Sequence, residues 1–261
     1  MVDLLQYYDN IAISLSGGAV RGAAHIGVLR ALEEFGIKPN IVAGASAGSI
    51  IAAFYSAGYT PDEMEEIILK TKFFSYLKPK FPKDAFFSLE KMDRIFEEYI
   101  DAKDISQLKK KTYIVVVNLK TGEAEYIDRG DLKTYVRASC SLPVIFEPVF
   151  INGIPYIDGG IVDNLPVKPF LEYENTYIIG SEVNPLSPNI GKLNIFSIAM
   201  RSFFLAVRAS IERNKTYCNL FIQPPEIIRI GLFETKKIKE AIDIGYNYTK
   251  KYLIKKFQLD I

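Results

Sequence analysis

Two periodicities organise the chain. Short apolar runs without charge predict buried strands at Ile11–Ser16, Asn40–Gly44, Thr112–Leu119 and Thr176–Val183. Two shorter strands are expected near Val149–Asn152 and Pro155–Asp158. Between these runs apolar residues recur at helical spacing. Ala24, Val28, Leu29, Leu32 and Phe35 predict a helix over Arg21–Phe35, stopped by Gly36. A helix over Ala47–Ala57 ends at Gly58, and the next opens at Thr60-Pro61-Asp62-Glu63, which supplies an N-cap, a proline at the first helical position and a capping box. Further helices are predicted at Ser88–Tyr99, Leu132–Ser139, Asn194–Arg213 and Thr235–Lys256. Strands alternating with helices imply an α/β fold with a mostly parallel central sheet. No Pro/Gly/Ser linker or internal repeat interrupts the pattern, so residues 1–261 are expected to form a single domain.

Composition narrows the classes of function. Over 261 residues the net charge is +1, which leaves no global basic footprint for nucleic acid. Cys140 and Cys218 are the only cysteines, too few for a disulfide framework and suited to a reducing, cytoplasmic setting. The N-terminus lacks the basic and apolar regions of a secretory signal. Residues 39–61 carry no charge between their prolines, yet their glycines and small side chains fit a buried strand and helix better than a membrane span.

Three segments carry candidate chemistry. Gly44-Ala45-Ser46-Ala47-Gly48 follows a predicted strand and precedes a predicted helix, the context in which G-x-S-x-G presents a nucleophilic serine on a strained turn. The helix N-terminus there favours developing negative charge. By itself the pentapeptide is equally an N-capping serine in a small-residue turn. The second segment, Ser16-Gly17-Gly18-Ala19-Val20-Arg21-Gly22, exposes backbone N–H groups at a helix start. Position 19 breaks the dinucleotide spacing and the loop lacks the Gly-Lys-Ser/Thr ending of a phosphate loop, which leaves an oxyanion hole as the catalytic reading. Arg21 either supports this loop or binds an anionic group of a substrate.

The proton acceptor is the open question. His25 is the only histidine, and a lone helical histidine is more often packed than catalytic. The base must then be Asp, Glu, Lys or Tyr. Asp158 stands out because it ends an apolar stretch at the Gly159-Gly160 turn, where a backbone can approach another element closely and burial can raise a carboxyl pKa. An Asp-Gly turn between two strands is the bland alternative.

Taken together, Gly17-Gly18-Ala19-Val20-Arg21-Gly22, Gly44-Ala45-Ser46-Ala47-Gly48 and Asp158-Gly159-Gly160 with Asn164-Leu165-Pro166 resemble the patatin-like phospholipase family, over about residues 10–185. The resemblance implies a three-layer α/β/α sandwich and a lipid acyl-ester hydrolase of phospholipase A, lysophospholipase or carboxylesterase type. It implies Ser46 as nucleophile, Asp158 as base, an oxyanion loop comprising Gly17, Gly18, Arg21 and Gly22, and a structural His25. Gly44, Gly48, Gly159 and Gly160 belong to the motifs themselves. No metal or other cofactor is implied, and no His/Cys cluster exists to bind one.

The surroundings suggest lipid contact. Residues 72–87 interleave aromatics with lysines and prolines, as a flap or an interfacial surface would. Residues 201–261 hold 12 Lys/Arg against 6 Asp/Glu, a face suited to solvent or to weak contact with an anionic membrane. The expected partner is an acyl-ester lipid, with peripheral membrane contact at most. Two other readings compete: an acyl transferase sharing the nucleophile, and a non-catalytic lipid-binding or regulatory protein.

Overall fold

A computed structural model of the protein describes residues 5–72, 89–143, 145–186 and 194–257. The aromatic and lysine-rich stretch expected to form a flap lies almost wholly outside them. The described residues form eight strands: β1 (Asn10–Leu15), β2 (Ile41–Ala45), β3 (Lys111–Asn118), β4 (Ala124–Ile127), β5 (Val149–Ile151), β6 (Ile154–Asp158), β7 (Thr176–Ser181) and β8 (Leu220–Ile222). They make one sheet in the order β5-β6-β3-β2-β1-β7-β8, with β4 also paired to β3. The run β3-β2-β1-β7-β8 is parallel. Beyond β3 the pairings with β4 and β6, and of β6 with β5, are antiparallel. The sheet is therefore mixed, with a parallel centre.

The helices are α1 (Ala24–Glu34), α2 (Ala47–Ala57), α3 (Pro61–Thr71), α4 (Glu90–Tyr99), α5 (Leu132–Ser139), α6 (Ile195–Lys215) and α7 (Ile238–Phe257). A 3-10 turn, Ala19–Ala23, leads into α1. The pleat explains how one sheet serves two cores. Ile13, Leu15, Val42, Ile114 and Ile179 point to one face, into the larger core shared with α1, α2, α3, α4 and α7. Their neighbours Ala12, Ile41, Ala43, Tyr113 and Ile178 point the other way, onto Leu165, Val167, Phe170 and, from α6, Val207 and Ile211. Both faces of the central strands are covered, which is why they read as continuous apolar runs rather than alternating ones. Helices flank both faces, giving the expected α/β/α layering.

Local signals in the sequence account for most boundaries. Thr60 caps α3 in a complete capping box: its hydroxyl accepts from the Glu63 N–H, and the Glu63 carboxylate accepts from the Thr60 N–H. Asn194 likewise caps α6. The uncharged segment 39–61 is β2 and α2, and no helix among the described residues is long and apolar enough to cross a membrane. Two strands had no sequence signal. The β4 residues Ala-Glu-Tyr-Ile are all half-buried, and β8 is only three residues long.

One helix pair sets the packing behind the sheet. A Cβ on Gly27 in α1 would fall 1.9 Å from the Ile242 carbonyl oxygen in α7, and one on Gly245 in α7 would fall 2.1 Å from the Ala24 carbonyl oxygen. The two backbones touch through reciprocal glycines, so neither position has room for a methyl group. Replacing either Gly27 or Gly245 with Ala is expected to force the helices apart and to destabilise the protein by about 1–3 kcal/mol or more. Thermal or urea unfolding of the two variants checks this, and midpoints equal to that of the wild type would contradict the close crossing.

Candidate active site

The loops that carry the three motifs converge at one end of the sheet. Ser46 sits between β2 and α2 with φ 50° and ψ −126°, a left-handed conformation that a non-glycine residue adopts only when its surroundings hold it there. Those surroundings are specific. The Ser46 N–H donates to Ser139 Oγ at 2.9 Å. The Ser46 carbonyl accepts from Ser49 Oγ at 2.6 Å and from the Ser49 N–H at 2.8 Å. A Cβ on Gly48 would lie 2.1 Å from the Leu15 carbonyl oxygen, so α2 starts directly against the end of β1. Gly44 lies within the same contact, facing the Gly48 backbone.

Asp158 ends β6 and is 3% exposed. Its Oδ1 accepts from the Gly160 N–H at 2.8 Å, and the Ser46 hydroxyl is its other hydrogen-bond partner. Burial outweighs these bonds and pushes the carboxyl up to about 7. Gly159 lies against the Val115 carbonyl of β3, which seats the turn on the sheet. The structure thus brings Ser46 and Asp158 side by side from positions 112 residues apart in the sequence.

The glycine loop divides its work. The Gly17 N–H donates to Asn164 Oδ1 at 3.0 Å, and Asn164 Nδ2 returns a longer bond to the Gly17 carbonyl at 3.4 Å. The N–H groups of Gly18 and Ala19 carry no hydrogen bond to a described residue, and Ala19 has φ 48°. Both residues line the cleft with Ser46. Gly22 sits behind the loop, packed on the Ala47 Cβ. Arg21 turns away from Ser46. Its Nε donates to the Ile230 carbonyl at 2.7 Å, Nη1 to Asn184 Oδ1 at 2.6 Å and Nη2 to the Ile228 carbonyl at 3.4 Å. It ties the loop to the segment that brings Leu232 and Phe233 to the cleft, and the Val20 N–H adds a bond to the Leu232 carbonyl at 3.0 Å.

His25 is fully buried and bonded on both ring nitrogens, with Nε2 2.8 Å from the Ser16 carbonyl and Nδ1 2.8 Å from Ser181 Oγ. A carbonyl can only accept, so Nε2 carries the proton and Nδ1 accepts from the serine. Burial lowers the ring pKa to about 4, which keeps it neutral. It braces the ends of β1 and β7 and makes no bond to Ser46.

Several contributors had weak or no sequence signal. Asn164 lies in the Asp-Gly-Gly segment, but only the fold shows it gripping Gly17. Asp163 beside it is buried, accepting from Tyr126 Oη at 2.5 Å and from Asn214 Nδ2 at 2.7 Å, while the Asn164 N–H donates to Ser210 Oγ at 3.3 Å. Helix α6 therefore fastens the turn that carries Asp158. Leu142, Phe204, Val207, Leu232 and Phe233 wall the cleft above these groups. Polar groups gather at its base and apolar groups at its sides. Among the described residues no group of His, Cys, Asp or Glu is arranged to hold a metal ion.

Comparison with known proteins follows the same outline. The model of the family described as "Patatin-like phospholipase" matches residues 13–171. Among curated proteins, the lysophospholipase nte1 of Emericella nidulans is 28% identical over 280 residues, covering 94% of this chain and 18% of that protein. The lysophospholipase NTE1 of Chaetomium globosum is 27% identical with the same coverage. The chain thus spans less than a fifth of the length of these relatives. Among solved structures, VipD from Legionella pneumophila superimposes with a TM-score of 0.55 at 16% identity, over 95% of this chain and 67% of that one. ExoU in complex with SpcU from Pseudomonas aeruginosa gives 0.52 at 15% identity, over 96% and 52%. These two show a shared fold. With the family model covering more than half of the sequence, the chain belongs to the patatin-like phospholipase family.

Proposed function

We propose that this protein is a lipid acyl-ester hydrolase in which Ser46 is the nucleophile and Asp158 the only base. The observation that carries the reading is a buried carboxyl, raised to about 7, bonded to a serine hydroxyl on a strained turn. Asp158 Oδ accepts the Ser46 proton as Oγ attacks the ester carbonyl. The carbonyl oxygen becomes an oxyanion, and the N–H groups of Gly18 and Ala19, which bond to no described residue, are the donors best disposed to receive it. As the tetrahedral intermediate collapses, the proton passes from Asp158 to the departing alcohol, leaving an acyl ester on Ser46. Asp158 then takes a proton from the water that attacks that ester and passes it to Ser46 Oγ as the acyl–serine bond breaks, which releases the fatty acid and restores the serine hydroxyl.

In this reading Gly17 and Arg21 shape the loop rather than touch the oxyanion, because their donors are already engaged. Asn164 is the positioning residue that holds Gly17, and His25 takes no part. The apolar walls at Leu142, Phe204, Val207, Leu232 and Phe233 suit an acyl chain. The relatives named lysophospholipase support a lipid ester as substrate. We treat residues 1–261 as one catalytic domain acting on lipid at a membrane surface.

Labelling with a fluorophosphonate tests the nucleophile directly. One adduct is expected on the wild type, none on Ser46→Ala, and slow labelling on Asp158→Asn. Ester turnover is expected to fall by about 10²–10⁴-fold in Asp158→Asn, and further loss on combining it with Ser46→Ala should be small. A His25→Ala protein that folds yet loses all turnover would overturn the dyad.

The pH dependence follows from the same carboxyl. Asp158 must be ionised to act, so kcat/KM is expected to rise with pH and level off above about 7. Stability should move in the opposite direction. A carboxyl raised from 3.8 to about 7 binds its proton more tightly in the folded state, so its contribution is present below 3.8 and is lost as pH rises to 7. His25, lowered from 6.5 to about 4, does the reverse and loses its contribution as pH falls from 6.5 to 4. Each amounts to roughly 3–4 kcal/mol at full extent, so the two nearly cancel. Urea unfolding between pH 4 and 7 is expected to give Asp158→Asn a clear gain in stability with rising pH relative to the wild type. Parallel profiles for the two proteins would show that Asp158 is not held protonated.

A further inference from the structure

The end of α5 touches both Ser46 and Asp158. Ser139, its last residue, takes the Ser46 N–H on Oγ at 2.9 Å. Two residues further on, the Ser141 carbonyl accepts from the Asp158 N–H at 3.0 Å. Between them, Cys140 Sγ lies 3.9 Å from Ser49 Oγ, the hydroxyl that donates to the Ser46 carbonyl. One tripeptide therefore bears on the backbone of the serine at both its polar groups and on the backbone of the aspartate. It is itself firmly held. All three residues are buried. The Cys140 N–H donates to the Val136 and Arg137 carbonyls at 3.0 and 3.1 Å, the Ser141 N–H to the Ala138 carbonyl at 3.0 Å, and Ser141 Oγ to the Arg137 carbonyl at 2.9 Å. Upstream, Arg137 pairs with Asp93 of α4 at 2.6 Å, and Ala138 packs with Val116 of β3 and Tyr156 of β6.

The two links differ in kind. Asp158 is held by a backbone carbonyl, which any side chain at position 141 would supply. Ser46 is held by a hydroxyl, which only a few side chains at position 139 could supply. The Ser46 link is also the one under load, because φ there is 50°. An L-residue leaves that region when its surroundings release it. An amide stripped of its acceptor gains by turning toward another. Rotation about the Ser46 N–Cα bond swings Cβ, and Oγ moves with it away from Asp158.

We propose that Ser139 is a positioning residue for the Ser46–Asp158 pair: its hydroxyl pins the amide of the nucleophile to the same turn that pins the amide of the base, which fixes the approach of Ser46 Oγ to the carboxyl. This role rests on the hydrolase reading and adds to it the group that sets the geometry of the proton transfer. Ser139 holds the Ser46 backbone and moves no proton itself. The carboxyl reports on the role. Burial raises Asp158, while the bonds from the Ser46 hydroxyl and the Gly160 N–H lower it. A serine that swings away withdraws one of those bonds, and the carboxyl then rises above about 7. Cys140 is the titratable neighbour on the same turn. Burial and the Asp158 charge push its thiol well above the usual range, so it stays neutral where Asp158 titrates.

Turnover of para-nitrophenyl butyrate as a function of pH, with urea unfolding to give the folded fraction, provides the test. Per folded molecule, Ser139→Ala is expected to lose about 10–100-fold in kcat with KM within about threefold of the wild type. Its fluorophosphonate labelling should slow in proportion, and the rising limb of kcat/KM should move to higher pH. Ser139→Thr and Ser139→Val share a shape and differ in the hydroxyl, so threonine is expected to exceed valine in kcat by about tenfold. An alanine variant with the kcat and pH limb of the wild type overturns the role, as does a loss that only follows the unfolded fraction. Equal kcat in folded threonine and valine variants overturns it too. Should the alanine variant fail to fold, the threonine–valine pair decides, and should that pair fail, alanine does. If the wild type neither turns over an ester nor takes the label, the hydrolase reading fails by itself. The role of Ser139 is then judged by titrating Asp158 through the NMR signal of its carboxyl carbon. A midpoint higher in Ser139→Ala than in the wild type upholds it, and equal midpoints overturn it.

Discussion

Keeping water from one carboxyl group is the constraint on which this architecture turns. Asp158 in water would ionise near pH 4 and be a feeble base at neutrality. Enclosed by β3, β6 and the Gly159-Gly160 turn, it is raised to about 7 and shares its environment with the Ser46 hydroxyl. Everything that packs the turn onto the sheet serves this dehydration. Helix α6 holds the following residues through Ser210 and Asn214, and β3 receives Gly159 with almost no gap. A single side chain, Asn164, then ties this assembly to the glycine loop at the end of β1. Asp158, Ser46 and the glycine loop thus share a frame of backbone contacts too tight to shift independently.

The polarity of the sheet decides where the frame can exist. Parallel strands β1 and β2 deliver their carboxyl ends, and the helix starts that follow them, to the same edge. Asp158 comes instead from a strand running against β3, so its turn meets the other two from the side. His25 completes the arrangement from below, neutral and bonded to both β1 and β7. It does with two uncharged hydrogen bonds what a charged brace would do only at a large desolvation cost.

Much of this was legible in the order of residues. Central strands buried on both faces announce themselves as unbroken apolar runs, and capped helices as Thr60-Pro61-Asp62-Glu63 and Asn194 do. The elbow and the Asp158 turn are legible because tight backbone approach demands glycine at Gly44, Gly48 and Gly159. What was hidden is whatever depends on distant partners. The engagement of Arg21 with Asn184 and residues 228–230 has no local signature, and neither does the Ser139 hydroxyl that holds the Ser46 amide. The half-buried β4 and the three-residue β8 lack the length and the pattern that mark a strand. The cleft walls at Leu232 and Phe233 come from a loop far along the chain, and only tertiary structure brings them there.

The crossing of α1 and α7 carries a consequence for how the molecule comes into being. Helix α1 continues the turn that holds Gly18 and Ala19, and it buries its back against the last helix through Gly27 and Gly245. During synthesis from the N-terminus, the motif-bearing segments leave the ribosome long before residues 238–257. Until those residues arrive, Ala24 and Gly27 have no surface to close upon, and the glycine loop has no fixed floor. A nascent chain therefore holds all three glycine-bearing motifs well before the helix surface that receives Gly27 exists.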